Sequence, residues 1–423
     1  MAHLLSDFFS SADVVRQRQL DEVNNRSRLP YLGARTDKFF STYRHALRST
    51  AASGGSAPFR AAVVHGILRQ YAAQGVPTVV LHCGSPWLSC SAMAAGAVLP
   101  DGQLFHCDPL LGSSPDAVAE LLTDLSQALN PSAPPLGGLW ELVLDVLSLR
   151  GDPVTLSALC GCSCRNLPEE LDRLRRQGAL DGGRTAALLD RLSALPAGAL
   201  ETGDQLLRKL RRGAIATPGD PDQAMLGMAQ AVELGGLASI DLVSDSNLAA
   251  KELCFLVLRR LMENGRRFLV VCDGLSLSER TVQMQQFFRG IAPGVRFLFS
   301  GPDVPVQLQT CPGLLESMIK SGDGGANAVI FFHTSPTGKD FWLHYLGSYR
   351  HRFLEQTYSR TRDSAAILRH SEGCSCVIKE EIRRVMEEEE LRTLPDGYAA
   401  VVLPAERKRG ILIFQALRPA GIS

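Results

Sequence analysis

Two kinds of segment alternate along this chain, and their alternation restricts the fold more than any other feature. Arg267-Phe268-Leu269-Val270-Val271-Cys272-Asp273 is a short unbroken apolar run, the pattern of a strand buried on both faces. Runs of the same kind predict strands at Pro77 to Cys83, Leu237 to Val243, Val295 to Ser300 and Ala328 to His333, with a shorter one at Gln103 to Cys107. Between them the apolar residues recur with a helical period. Val63, Val64, Ile67, Leu68 and Tyr71 share one face of a helix predicted over Phe59 to Ala73, which Gly75 ends. Asn247 to Asn264, closed by Gly265, Glu279 to Phe288 and Asp340 to Tyr345 read the same way. Strands joined by helices predict an α/β fold, a mainly parallel sheet flanked by helices.

Between about 115 and 215 the texture changes to Leu-, Ala-, Arg- and Glu-rich segments broken by Pro and Gly, with no β-branched run long enough for a strand. Six helices are predicted there, beginning at Pro115, Leu136, Thr155, Pro168, Thr185 and Thr202, with Thr and Pro as starters. The chain therefore divides into an N-terminal arm at 1–40, a first part of the α/β core at 41–114, an inserted all-α domain at 115–215, and a second part of the core at 216–423. Toward the C-terminus a helix is expected at Lys379 to Glu389, followed by strands at Tyr398 to Leu403 and Gly410 to Phe414.

Forty-four basic residues balance 44 acidic ones over 423 residues, so no global field makes the chain a polyanion binder by default. No run of about 18 apolar residues occurs, and the first residues lack a basic stretch followed by an apolar one, which points to a cytoplasmic location. The eleven cysteines lie mostly inside apolar runs, as small buried hydrophobes do. Cys160, Cys162 and Cys164, and Cys374 and Cys376 near His370, are spaced by single residues, too close for easy tetrahedral chelation, and no metal site is assigned to them. His82, His106 and His333 fall near strand ends without the partners of a nucleophilic triad.

Ligands of such sheets bind at the carboxyl ends of the strands, which singles out two places: the small-residue loop from Ala51 to Pro58, and Asp273. A strand, a Gly/Ser loop and a helix form the frame in which backbone N–H groups cradle phosphate, and an acidic residue closing a distant strand can hold Mg²⁺ through water. Taken in order, with the Cys107-Asp108-Pro109 step, the helical block, Ser239 to Val243, Phe268 to Asp273 and the closing Ile378 to Val385 and Leu394 to Val402, the chain resembles the type IV secretion coupling proteins from about residue 45 to 417. The resemblance implies a P-loop NTPase-like core, an ATP and Mg²⁺ site at Gly54, Gly55, Ser56 and Arg60 with Asp273 as the catalytic acid, and a ring of subunits. It also implies DNA and other proteins of a conjugative transfer machinery as partners.

The departures from the family pattern bear on the chemistry. The loop reads Gly55-Ser56-Ala57-Pro58-Phe59 in place of Gly-Ser-Gly-Lys-Ser/Thr, and no lysine occurs between Lys38 and Lys209. Pro58 removes an amide donor, and a planar guanidinium at Arg60 does not reproduce a point ammonium. Asp273 is followed by Gly274 where the family has Glu, so the water-activating carboxylate is missing. Because phosphoryl transfer depends on positioning and charge stabilisation, these losses predict a pseudo-ATPase acting through DNA or partner binding. Two alternatives stand beside it: a ring-forming DNA-translocating ATPase with Arg60 in place of the lysine, and a regulatory scaffold without nucleotide. Arg208, Arg211 and Arg212, in the helical block, are the residues that would touch DNA or a partner. Thr337-Gly338-Lys339-Asp340 also opens a helix after a strand, but lacks the preceding glycine and the hydroxyl of a phosphate loop.

Overall fold

The computed structural model describes residues 14–25, 28, 31–33, 48–85, 96–212, 224–311, 313–314, 326–332, 335–362, 370–404 and 408–417. Its strands are β1 Tyr31–Gly33, β2 Thr50–Ser53, β3 Thr78–His82, β4 Ala97–Val98, β5 Leu104–Asp108, β6 Met225–Gly227, β7 Leu237–Asp241, β8 Leu269–Asp273, β9 Arg296–Gly301, β10 Asn327–Ile330, β11 Ser348–Arg362, β12 His370–Arg384, β13 Tyr398–Leu403 and β14 Lys408–Ile413. Twelve of them form one sheet in the order β1-β14-β13-β10-β2-β9-β8-β3-β7-β4-β5-β6, and β11 pairs only with β12. From β10 to β7 every neighbour is parallel. Antiparallel β13 and β4 flank this centre on its two sides. This is the mainly parallel α/β core flanked by helices expected from the alternation of apolar runs.

The continuous apolar strands are buried on both faces, as their composition requires. Ala52, Val80, Leu269, Val271 and Leu298 face the helix α1 (Ala57–Ala72) through its Val63, Val64, Ile67, Leu68 and Tyr71. Their sequence neighbours Ala51, Val79, Leu81, Val270, Cys272 and Phe299 enter the opposite cluster. That cluster continues into the helical block, α2 (Pro115–Leu129), α3 (Gly137–Arg150), α4 (Leu156–Gly161), α5 (Leu167–Arg176), α6 (Gly182–Ser193) and α7 (Ala199–Arg212), and into α9 (Leu248–Glu263), which follows the short α8 (Met228–Glu233). At roughly 1.5–3 kcal/mol for each large apolar side chain removed from water, these two layers are the main stabilising term.

One carboxylate ties the helical block to the sheet. Asp108, the last residue of β5 and buried, accepts from the amides of Leu110 at 2.8 Å and Leu111 at 3.1 Å through one oxygen, and from Leu156 at 2.9 Å through the other. The third bond caps the first turn of α4, 48 residues away in sequence. Arg260 of α9 adds a second tie, donating to the carbonyl of Ala117 and pairing with Glu120, both at 2.9 Å.

Two local expectations are corrected. The small-residue stretch read as loop from Ala51 already contains the strand β2, whose Ala51, Ala52 and Ser53 are fully buried between β9 and β10. Lys379 to Glu389 is not a helix: β12 runs to Arg384, and only Glu388–Arg392 is helical. Ile378, Ile382 and Val385 recur at helical spacing, and residues 377–380 and 382–384 of β12 are exposed, so no buried side imposes the alternation that marks a strand there. Residues 14–25 are helical and lie on β11, where Asn24 bonds both the N–H and the C=O of Arg352 and Gln17 accepts from Leu354. No helix among the described residues is long and apolar enough to cross a membrane.

Candidate functional site

The chain leaves β2 at Ser53, turns through Gly54, Gly55 and Ser56, and enters α1 with Pro58 in its first turn. Gly54 and Gly55 have φ of 83° and 60°, the left-handed region in which a side chain would be strained. A Cβ on Gly55 would also lie 2.7 Å from Cβ of Phe331. The two glycine amides point into the protein: Gly54 donates to the carbonyl of Gly301 at 3.1 Å and Gly55 to that of Phe332 at 2.9 Å, closing the turn onto the ends of β9 and β10. Their carbonyls are engaged as well. Nη1 of Arg60 donates to the Gly54 oxygen at 2.9 Å and to the Gly55 oxygen at 2.5 Å. Burial lowers the Arg60 pKa and the nearby Asp273 raises it, so the guanidinium and the strand-end acid do belong to one electrostatic site.

The loop as folded therefore turns these two amides away from any phosphate at the helix start. A phosphate cradle presents amide donors outward with a lysine behind them. Here the amides of Gly54 and Gly55 are satisfied by backbone, and the cation is spent on loop carbonyls. Ser53 is likewise structural, its Oγ accepting from the Val304 amide at 3.0 Å and from the indole N–H of Trp342 at 3.2 Å.

Beside the loop a polar row runs across the sheet. Asp241, His82, Asp273 and Ser300 are register neighbours on β7, β3, β8 and β9, and so share one face at the carboxyl ends of the strands. His82 is fully buried; its Nδ1 accepts from the Ser85 amide at 3.3 Å, which places the ring proton on Nε2. Burial lowers its pKa against the opposing pull of Asp241 and Asp273, so the ring is neutral. His82 Nε2, Ser300 Oγ and Arg60 Nε are all buried without a partner among the described residues. Asp241 is occupied, accepting from Gly84 at 2.8 Å and from Val243 at 2.7 Å. Asp241 and Ser300 gave no motif; their place next to Asp273 emerges only from sheet register. Burial, then the charge of Asp245, push the Cys83 thiol up to about 12, so it is no nucleophile at neutral pH.

The remaining candidate residues lie elsewhere. Arg208 and Arg211 are exposed on α7, which packs against α9. Arg208 donates to the Asp204 carbonyl at 3.2 Å, while Arg211 donates to the carbonyl of Cys160 and so caps the end of α4. Arg212 ends the helix, and its side chain is outside the described residues, as are those of His370, Cys374 and Cys376; His333 is outside them entirely. Among the described residues no group of three metal-ligating side chains occurs. Burial is the largest influence raising the thiol pKa values of Cys160, Cys162 and Cys164. Lys339 of the Thr337-Gly338-Lys339-Asp340 segment is buried and paired with Glu388, and Ser335 caps that helix.

No family model and no curated protein matches the chain. Among solved structures it is similar to the bacterial conjugative coupling protein TrwBdeltaN70 in an unbound monoclinic form, at 13% identity and a TM-score of 0.44, covering 88% of this chain and 86% of that one. The plasmid coupling protein TrwB in complex with ADP and Mg²⁺ gives 13% identity and a TM-score of 0.42, with coverage of 89% and 87%. VirB4 of Thermoanaerobacter pseudethanolicus gives 11% identity and a TM-score of 0.38, with coverage of 87% and 89%.

Proposed function

We propose that the chain is a coupling-protein-like component of a conjugative or mobile-element DNA transfer system, that its nucleotide cradle has become a fixed joint, and that it acts by binding DNA or partner proteins. The observation that carries the loss of hydrolysis is the Arg60 latch: the guanidinium is bonded to the carbonyls of Gly54 and Gly55 while both amides are bonded to neighbouring strand ends. Entry of a phosphate would require breaking these bonds with no lysine to replace them. Asp273 remains as a lone carboxylate, without the following acid that would activate water. The order of loop strand, inserted helices and acidic strand supports the transfer-system assignment. The exposed Arg208 and Arg211 on α7, with Arg212 beside them, supply a short basic edge for a polyanion.

Phosphate release and fluorescent-nucleotide titration test the hydrolytic part. The expected result is no turnover above that of Asp273→Ala; saturable turnover abolished by that substitution would refute it. Retention on DNA, measured against salt, tests the binding part. Weakening in Arg208→Gln/Arg212→Gln, with a shallower salt slope, is expected if these cations contact phosphate. An unchanged slope would exclude them from that role.

A further inference from the structure

The ribbon of β11 and β12 has two edges, and they are treated differently. Asn24 occupies both the N–H and the C=O of Arg352, and Gln17 bonds the N–H of Leu354, so these groups face away from β12. Arg352 pairs with Glu380 and Leu354 with Ile378, and in an antiparallel ladder such pairs alternate with hydrogen-bonded ones. The backbone groups of Ile378, Glu380, Ile382 and Arg384 therefore face outward on the edge of β12, which pairs with no other described strand. This edge also carries exposed apolar side chains: Val377 at 52%, Ile378 at 41% and Ile382 at 78%, the last the most exposed large hydrophobic residue described. An open strand edge of this kind is a template for another strand.

The sequence along it is Glu380-Glu381-Ile382-Arg383-Arg384. Read antiparallel to itself about Ile382, it sets Glu380 opposite Arg384, Glu381 opposite Arg383, and Ile382 opposite Ile382. The outward backbone groups of one strand then meet those of the other, and the opposed side chains fall on the same face. On that face Glu380 already holds Arg350 and Arg352, at 3.7 and 2.7 Å, and the pairing brings Arg384 of the second copy to the same carboxylate, while Arg384, opposite Ser348, receives the second copy's Glu380. We propose that β12 is a self-pairing strand through which two copies of this chain associate about a two-fold axis at Ile382, joining their hairpins into a four-stranded antiparallel sheet. Each copy gives and receives the same pairs, as a two-fold interface requires. Four exposed cross-strand ion pairs make the association salt-sensitive.

Sedimentation velocity on the full chain across a concentration series tests this. Wild type is expected to dimerise at low salt and to dissociate as salt is raised. Glu380→Arg/Glu381→Arg turns all four pairs into like charges, as does Arg383→Glu/Arg384→Glu, and each variant alone is expected to lose about tenfold or more in dimer affinity. Mixing the two variants restores opposite charges at every pair and is expected to recover the dimer, a rescue that a merely misfolded variant could not give. Ile382→Pro, which removes an outward N–H at the centre, is expected to abolish dimerisation with an unchanged far-ultraviolet spectrum. A monomer at all concentrations in low salt, dimerisation of either variant alone as tight as wild type, or no gain on mixing would each overturn the proposal.

Discussion

Replacing Glu252 by Gln should make the protein more stable at alkaline pH and leave it nearly unchanged in acid. Glu252 lies on α9, is fully buried, and accepts from the amides of Gln283 at 2.6 Å and Met284 at 3.3 Å, capping α10 (Val282–Arg289). Burial raises its pKa from 4.5 to about 7, against the pull of those amides and of Lys251. Between these values the unfolded chain has released the proton and the folded chain still holds it. Stability is therefore full below pH 4.5 and falls as pH rises through 7. At 1.36 kcal/mol per unit the loss above pH 7 comes to about 3 kcal/mol. Glutamine removes the titration but keeps only one of the two acceptor oxygens, since Gln283 and Met284 donate to different ones, and its NH2 set against the other amide costs about 1 kcal/mol at every pH. Urea unfolding of both proteins at pH 4.5, 6 and 8.5 gives the difference directly. The variant should start slightly less stable and end about 2 kcal/mol more stable, with the crossover between pH 5 and 7. A difference that stays constant over that range would show that Glu252 does not carry the linkage.

The Asp108 tie predicts that Asp108→Ala costs about 3 kcal/mol, because three amides lose their acceptor; hydrogen exchange should quicken at Leu156 and through α4 before it does in β8. Val243, exposed and held at a φ of 61°, is the one non-glycine residue described in the left-handed region, so Val243→Gly should raise stability by about 0.5–1 kcal/mol in the same urea assay. Gly55→Ala should do the reverse: positive φ and the 2.7 Å approach to Phe331 together cost about 2–3 kcal/mol, read as a lower unfolding midpoint.

How far the sequence discloses this molecule depends on whether a segment's environment is written into its own pattern. The strands β3, β7, β8 and β9 are buried on both faces, which demands unbroken apolar residues, and those runs were legible with their helices between them. β2 is equally buried but is built from Thr, Ala, Ala and Ser, residues that also make loops; what makes it a strand is the pair of neighbours on either side, and these come from about 250 and about 280 residues further on. The ribbon fails for the opposite reason. Along the exposed residues of β12 the side chains make cross-strand charge pairs such as Arg352 with Glu380 and Lys379 with Glu355, and pairing of that kind has no period to read. The site divides in the same way. The missing lysine and the missing acid after Asp273 are facts of composition, visible at once. That Arg60 turns back onto the loop is not, because a guanidinium bonded to carbonyls five and six residues behind it looks, in sequence, the same as one reaching forward to a phosphate. Only the direction of the Gly54 and Gly55 amides separates the two, and that direction is fixed by the carbonyls of Gly301 and Phe332 at the ends of the flanking strands, β9 and β10.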